Sequence, residues 1–212
     1  MTSSVYLGID LGTGGCRAGL FDDTGTPLDF EDSAVDSAYP RQGWVEQDAP
    51  QWWQALVNSV RAVVERTRTD PHDIAGIGFD AHSASVVVCD ESLQPLRPAI
   101  MWADVRASEQ AARARHVDHW ARLYNGAGED EASAEWFPFK AAWIKEHEPE
   151  VWERTRWVLD APDWIGARLT GELAVNLTSA SLKMYHNGDH GGFPEDFFAA
   201  IGVDDLLGRM PD

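Results

Sequence analysis

The stretch Tyr6-Leu-Gly-Ile-Asp-Leu-Gly-Thr-Gly-Gly-Cys-Arg-Ala-Gly-Leu-Phe-Asp22 decides how the chain begins to fold. The apolar run over residues 5–9 predicts a short buried strand. Gly12-Thr-Gly-Gly15 follows as a tight turn with little side-chain bulk. A second run over residues 17–21 predicts a strand that returns beside the first. The stretch therefore predicts an antiparallel hairpin.

This turn also carries residues that suit a phosphate. Gly12, Gly14 and the hydroxyl of Thr13 let backbone N–H groups approach an anion closely, and Arg17 adds positive charge. Asp10, just before the turn, is placed to hold Mg²⁺ through water. On loop chemistry alone, a plain structural turn explains these residues equally well.

Two better-known phosphate loops are excluded. A P-loop requires Gly-Lys followed by Ser or Thr, but none of the three lysines, Lys140, Lys145 and Lys183, follows a glycine. The dinucleotide fingerprint requires a third glycine where Arg17 stands and a helix after the turn. The hairpin belongs to neither class.

Composition narrows the classes of partner. The chain has 212 residues, of which 44% are hydrophobic, so it is long enough for a full-sized core. The formal net charge of −18 disfavours nucleic acid or an anionic membrane as a partner. Cys16 and Cys89 lie beside apolar residues and are interpreted as buried free thiols. We find no leader-like or membrane-length apolar segment, and we expect a cytoplasmic protein.

The remaining pattern predicts one α/β domain over residues 1–212, with a mixed sheet and flanking helices. Residues 5–35 predict an antiparallel meander of three strands. Asp48 and Pro50 begin a helix that extends to about residue 68. Residues 74–79 predict a strand parallel to the first, because a long helix separates them. Other strands are predicted over 85–89 and 157–159, and other helices over 108–124 (ended by Gly126 and Gly128), 138–146, 149–154, 162–170 and 194–200.

Two further places carry polar residues next to predicted strands. His82 lies in a turn of small residues and could act as a base, although a lone histidine in a turn is more often structural. Trp102 and Asp104 suit a polyol, since the ring can cover C–H bonds while the carboxylate accepts from hydroxyls. A core tryptophan with a helix-capping aspartate explains this pair equally well.

Several motifs resemble one family. Gly8-Ile-Asp-Leu-Gly-Thr-Gly-Gly-Cys-Arg17 resembles the first phosphate loop of sugar kinases with the actin–hexokinase fold. Gly43-Trp-Val-Glu-Gln-Asp48, the segment over residues 95–107 and Asp163-Trp-Ile-Gly-Ala-Arg-Leu-Thr-Gly-Glu172 resemble the FGGY carbohydrate kinases specifically. The resemblance extends over residues 5–211 and implies an α/β domain that is actin/hexokinase-like, that is, ribonuclease-H-like.

The resemblance also implies that two different sets of residues bind the phosphate and the sugar. Asp10, Gly12, Thr13, Gly14 and Arg17 would bind phosphate, with Asp10 near Mg²⁺. The sugar contacts would fall on Ser83, Ala84, Trp102, Asp104, Glu135 and Lys183. The expected ligands are therefore ATP, Mg²⁺ and a sugar.

Within the family, two segments resemble the ribulokinase branch. It carries Ser-x-Glu-Trp, as at Ser133–Trp136 here, and a lysine comparable to Lys183. Ser83 and Ala84 are both small. At the corresponding turn, the resemblance gives glycerol kinases a bulkier Arg-Glu pair and xylulokinases a Met-His pair. A ribulose-like ketose is therefore the expected substrate, and xylulokinase-type specificity remains an alternative.

The resemblance further implies that this chain is one part of a kinase. FGGY kinases are about twice this length, and both the catalytic aspartate and the adenine pocket belong to a C-terminal domain. We therefore expect no catalytic residue in this chain, a C-terminal kinase domain as its partner, and no useful activity alone. A non-catalytic sugar-binding or regulatory module is the competing hypothesis, and a homodimer is left open.

Overall fold

The computed structural model describes residues 4–123 and 132–211. The predicted helix end at Gly126 and Gly128 lies outside these residues. The elements in chain order are β1 (Val5–Gly12), β2 (Gly15–Phe21), β3 (Pro27–Ala34), β4 (Glu46–Gln47), α1 (Ala49–Thr67), β5 (Ile74–Ala81), β6 (Val87–Cys89), β7 (Ala99–Ile100), α2 (Ser108–Ala114), α3 (Phe137–His147), α4 (Pro149–Arg154), β8 (Trp157–Leu159), α5 (Ala161–Thr170), α6 (Leu177–Lys183) and α7 (Glu195–Ala200).

Two compact units are distinguished within the chain, and the single domain over residues 1–212 stays a prediction. The first unit comprises residues 1–37 and 48–82, and the second comprises residues 38–47 and 83–212. They are called unit 1 and unit 2 below.

Unit 1 is a four-stranded sheet in the order β3-β2-β1-β5. β1 pairs antiparallel with β2, β2 pairs antiparallel with β3, and β1 pairs parallel with β5. β1 alternates in burial, with one side chain in two buried, and α1 packs mainly against β2 and β3. The structure thus confirms the predicted meander followed by a parallel strand.

Helix α1 covers that buried face. Its side chains Trp52, Leu56 and Val63 are buried, and each contributes about 1.5–3 kcal/mol to stability through burial. A buried hydroxyl on this face is satisfied, since Ser59 Oγ donates to the carbonyl of Cys16 at 2.8 Å. The predicted helix beginning at Asp48 and Pro50 is confirmed.

Unit 2 is mainly helical and contains two small antiparallel sheets, β4–β7 and β6–β8. Its core is rich in aromatic side chains, including Trp136, Phe137, Phe139, Tyr185 and Phe197. The predicted strand over residues 85–89 therefore exists as β6, but it pairs with β8 and lies outside the main sheet.

Two helix predictions differ from the structure. The helix predicted over residues 108–124 stops at Ala114, and a short 3₁₀ turn follows at Trp120–Leu123. The backbone gives a physical reason, because the N–H groups of residues 115–117 bond the carbonyl oxygens three residues back instead of four, so the helix tightens and ends. Helix α6 was not predicted, and Asn176 caps its start by accepting from the Ser179 N–H at 3.0 Å.

Within residues 4–123 and 132–211, no helix has the length and apolar character that crossing a bilayer requires.

Candidate functional site

The glycine turn of unit 1 packs against β3 at Gly15 and has open space beside Gly14. Thr13 and Gly14 connect the paired residues Gly12 and Gly15. A side chain at Gly15 would lie 2.3 Å from the carbonyl oxygen of Ser33, so the close approach of β3 requires glycine there. At Gly14, in contrast, an added Cβ would meet nothing within 4 Å. The outer side of the turn therefore has room for a ligand.

Four charged side chains lie at one level across the sheet. The strand register pairs Asp10 with Arg17 on β2, Arg17 with Asp32 on β3, and Asp10 with Asp80 on β5. Arg17 Nε donates to Asp32 Oδ1 at 2.8 Å. Asp32 and Asp80 were not among the predicted phosphate residues, because their neighbours only become known once the strands pair.

A cavity of about 360 Å³ adjoins this row. Its lining consists of the turn and the start of the row: Asp10, Gly12, Gly14, Gly15, Arg17, Asp32, Ser33 and Ala34. The predicted residues Asp10, Gly12, Gly14 and Arg17 are thus brought together. Thr13 is exposed in the turn itself.

The carboxylate of Asp10 fits Mg²⁺ that is also bound by a phosphate and by water. Carboxylate oxygens such as those of Asp10 are preferred ligands, and Mg²⁺ commonly takes one or two of them plus substrate phosphates and water. In the described part of the chain, no three or more His, Cys, Asp or Glu side chains form a group that could hold a metal ion. A metal at this turn would complete its coordination with oxygens of water and of the nucleotide.

The thiol of Cys16, next to the turn, has no ionic role at neutral pH. Burial, followed by the carboxylates of Asp10 and Asp32, raises its pKa to about 11. Cys89 is buried as well, and both cysteines are free, as predicted.

The predicted sugar residues belong to unit 2, where a buried lysine lies among them. Lys140 on α3 has no exposed surface. Its Nζ donates to the carbonyl oxygens of Ala84 at 2.9 Å, Met101 at 2.8 Å and Trp102 at 3.0 Å. One ammonium therefore holds the backbone of both turns to which the resemblance assigns sugar contacts.

The charges around Lys140 come from the same set. Burial lowers its pKa to about 7, the carboxylates of Asp104, Asp160 and Glu135 oppose this lowering, and Lys183 adds to it. Glu135 and Lys183, which are distant in sequence, are therefore both within electrostatic range of one ammonium. Ser83 adjoins Ala84, so all six predicted sugar residues lie near Lys140 or next to a residue it binds.

A buried carboxylate, that of Asp160, binds the backbone N–H groups of the turn whose carbonyl oxygen at Ala84 is bound by Lys140. Asp160, fully buried at the start of α5, accepts from the Ala84 N–H and the Ser85 N–H, both at 2.9 Å. Burial raises its pKa to about 6, while these backbone N–H groups act in the opposite direction. Asp160 also caps α5 in a reciprocal arrangement with Asp163.

The exposure of the predicted sugar residues differs widely. Trp102 is 40% exposed, which leaves part of its ring open to a ligand. Ser83, Glu135 and Lys183 are partly buried, and Ala84 is buried. His82 packs edge-to-face on Trp52 in unit 1, with ring centroids 5.1 Å apart, which favours its structural interpretation.

The prediction for Asp104 requires correction. Its side chain has no exposed surface, and its carboxylate accepts from Arg106 Nε at 2.9 Å, Arg106 Nη2 at 2.7 Å and the Val45 N–H at 2.6 Å. The Arg106 N–H is a fourth donor at 2.8 Å. Because the protein itself supplies these donors, Asp104 has a structural role instead of a sugar contact. It does not cap α2, whose N-cap is Ala107.

Sequence reasoning missed Lys140 and Asp160. Lys140 was considered only as one of the three lysines that exclude a P-loop, and it received no role. The available signal was its position inside the apolar run Phe137-Pro-Phe-Lys-Ala-Ala-Trp-Ile144, where a lysine must find polar partners inside the protein.

The model of the N-terminal domain of the FGGY family of carbohydrate kinases matches residues 5–211. The chain belongs to this family. An FGGY carbohydrate kinase domain-containing protein from Xenopus laevis is 33% identical over 211 residues, covering 95% of this chain and 37% of that protein. The xylulose kinase of Escherichia coli strain K12 is 29% identical over 181 residues, covering 85% of this chain and 36% of that protein.

The comparison of structures gives the same result. The crystal structure of xylulose kinase from Rhodospirillum rubrum matches with a TM-score of 0.86 and 26% identity, over 98% of this chain and 42% of that one. The actin/hexokinase-like fold is thereby confirmed. The chain spans about two fifths of the length of these relatives. Several relatives are xylulose kinases, so the ribulokinase branch stays a prediction.

Proposed function

We propose that this chain is the sugar-binding part of an ATP-dependent ketose kinase that phosphorylates a ribulose-like pentulose. The observation that carries the proposal is the gathering of the predicted sugar residues around Lys140 in unit 2. Ala84, Glu135 and Lys183 are distant in sequence, but the fold brings Ala84 into a hydrogen bond with Lys140 and the charges of Glu135 and Lys183 within electrostatic range of it.

The chemistry of these residues suits a polyhydroxylated ketose. The open part of the Trp102 ring can cover sugar C–H bonds, and the Glu135 carboxylate can accept from hydroxyls. The Lys183 ammonium can donate to a carbonyl and to hydroxyls. Ser83 is small and only partly buried and leaves room for the carbon chain, whereas Ala84 is buried and has its N–H and carbonyl bonded within the protein.

The turn of unit 1 would hold the nucleotide phosphate. Arg17 and the open turn at Gly14 offer donors to phosphate oxygens, and Asp10 offers an acceptor on a metal. Mg²⁺ bound with ATP supplies neutralisation of the charge that develops on the transferred phosphoryl group. Arg17 is bonded to Asp32, so its guanidinium is already oriented, although the ion pair is exposed.

Phosphoryl transfer needs an acceptor hydroxyl activated by a base and aligned with the nucleotide. No aspartate of this chain matches the motif that carries the base in the family. We therefore propose that a C-terminal kinase domain completes the enzyme and that residues 1–212 alone do not catalyse the transfer.

A second substrate, xylulose, is favoured by a specific observation. The relatives include xylulose kinases at 29% identity over 85–94% of this chain. The two sugars differ in the orientation of a hydroxyl, so the same residue types can serve either.

Isothermal titration calorimetry on residues 1–212 tests the proposal. D-ribulose, L-ribulose, D-xylulose, L-xylulose and glycerol are titrated in turn at pH 7. Saturable binding of a ribulose with the highest affinity supports the ribulose assignment, and highest affinity for a xylulose supports the alternative. Tighter binding of glycerol than of every ketose would refute both.

A further inference from the structure

The turn over residues 83–85 has a backbone conformation that its sequence does not favour. Ala84 has φ of +63°, in the left-handed region where a side chain with a Cβ is strained. Its methyl group is buried at 1% exposure. A conformation of this kind persists only when the surrounding structure holds it.

Both backbone polar groups of Ala84 are held by buried charges. Its N–H donates to Asp160 Oδ2, and its carbonyl oxygen accepts from Lys140 Nζ, each at 2.9 Å. The Ser85 N–H donates to the other carboxylate oxygen of Asp160. The left-handed conformation allows the consecutive N–H groups of residues 84 and 85 to reach the same carboxylate.

The same ammonium extends the arrangement to the second sugar turn. Lys140 also binds the carbonyl oxygens of Met101 and Trp102. Ser85 Oγ accepts from the Trp102 N–H at 3.1 Å, and Val86 and Ile100 exchange backbone hydrogen bonds directly behind the two turns. The backbone positions of Ala84 and Trp102 are therefore fixed relative to each other by Lys140 and Ser85.

We propose that Lys140 and Asp160 are positioning residues that set the spacing between the 83–85 turn and Trp102, and thereby select the sugar. This inference rests on the proposed function, because it assumes that both turns contact the ketose. Neither residue need touch the ligand, since each acts through the backbone of the turns.

The geometry requires the charged form of the lysine. Three carbonyl acceptors need three N–H donors, and only the ammonium has three. The groups that face it electrostatically are Asp104, Asp160, Glu135 and Lys183. A neutral substitute of similar length therefore loses all three bonds while it fills the same space.

The test compares Lys140→Met with Lys145→Met in residues 1–212. Lys145 is on the same helix, is partly exposed and pairs with Asp204 and Asp205, so its substitution removes the same charge without touching either turn. Affinities for the best-bound ketose and for glycerol are measured by calorimetry, and folding is checked by circular dichroism. We expect at least a tenfold loss of ketose affinity in Lys140→Met and a smaller ratio of ketose to glycerol affinity.

Lys145→Met should keep both affinities within about twofold of the original chain. A lysine that only stabilises the fold would not change the ratio of ketose to glycerol affinity, because partial unfolding lowers both affinities alike. A changed ratio therefore indicates positioning. A folded Lys140→Met protein with the original affinity and ratio would overturn the inference.

Two milder variants decide the matter if Lys140→Met does not fold. Ser85→Ala removes one bond to Trp102, and Asp160→Asn replaces one acceptor of the turn by a donor. Each should lower the ketose-to-glycerol ratio by about threefold or more, and an unchanged ratio in both would count against positioning.

Amide hydrogen exchange separates this inference from the proposed function. Faster exchange at Ala84, Ser85 and Trp102 in Ser85→Ala or Asp160→Asn shows that the turns depend on these groups. If the original chain binds no sugar, the proposed function fails and the sugar selection fails with it, even where exchange shows that the turns are held. If the original chain binds ketose and exchange is unaltered in both variants, the positioning itself is wrong.

Discussion

Substitution of Arg106 by methionine should strongly destabilise unit 2. The Arg106 side chain has no exposed surface and forms a two-bond pair with Asp104, whose side chain is equally buried. A third bond joins Arg106 Nη1 to Glu46 Oε1 at 2.8 Å, and the guanidinium carbon lies 3.9 Å from the ring centre of Trp44. Arg106→Met would leave the Asp104 carboxylate buried with backbone N–H groups as its remaining donors.

The magnitude follows from the burial. Removal of one partner of a buried pair costs about 3–5 kcal/mol, because the other charge is left uncompensated. In a chain of this size, 1 kcal/mol lowers the melting temperature by about 2–4 °C. The expected decrease for Arg106→Met is therefore roughly 6–20 °C.

Thermal unfolding followed by circular dichroism measures this decrease. Arg113→Met is a matched control, because Arg113 pairs with Glu146 while both side chains are about half exposed, at 51% and 43%. Exposed pairs contribute about 0.2–1 kcal/mol, so this control should lose less than about 4 °C. The double variant Asp104→Leu/Arg106→Met should be more stable than Arg106→Met, because no buried charge is left alone.

A melting temperature for Arg106→Met within about 2 °C of the original would refute the reasoning. Asp104 would then not depend on Arg106, and its carboxylate would again be a candidate for a sugar contact.

Lys183→Met should weaken ketose binding roughly tenfold to a hundredfold, because charge-assisted hydrogen bonds contribute about 1.5–3 kcal/mol, and calorimetry showing unchanged affinity would contradict its proposed role. Asp163→Asn should become progressively more stable relative to the original chain between pH 4.5 and 7.5 in thermal melts. Burial, followed by the charge of Asp160, raises the Asp163 pKa to about 7. The folded state of the original chain therefore holds a proton that the unfolded state has already released, and its stability falls as pH rises through this range. A stability difference between the two proteins that does not depend on pH would argue against a buried, protonated carboxyl. Purified residues 1–212 should release no ADP above background with ATP, Mg²⁺ and a ketose, and turnover in the usual kinase range of about 1–100 per second would show that the chain carries a base.

The hairpin and the parallel strand of unit 1 could be predicted because their signals are local. Alternating apolar residues in β1 and the small residues at Thr13 and Gly14 determine strand and turn without help from distant parts of the chain. The helix after Asp48 was predictable for the same reason, since its buried residues recur at helical spacing. The register across the strands was not predictable, and it alone places Asp80 and Asp32 level with Asp10 and Arg17.

The site of unit 2 was only partly predictable because its bonds are made to backbone atoms. Periodicity indicates which side of α3 is apolar, but it carries no information about which carbonyl oxygens Lys140 will meet. Asp104 was assigned to the sugar because an exposed aspartate and a buried one look alike in sequence. Its partner Arg106 is only two residues away, but only the fold shows that both are removed from water.

The three lysines of the chain show that surroundings decide what each charge does. Lys145 is partly exposed and binds Asp204 and Asp205, so water can replace much of what these carboxylates provide. Lys140, on the same helix, has no exposed surface, and three carbonyl oxygens replace its hydration. Water cannot reach this position to replace the ammonium, so its removal leaves the three carbonyl oxygens without that hydrogen-bond donor. Lys183 is partly buried at the end of α6, and its charge reaches Lys140 strongly enough to lower the pKa of that residue. Because the two ammonium groups repel each other, removal of the Lys183 charge would favour the charged form of Lys140 that holds the turns.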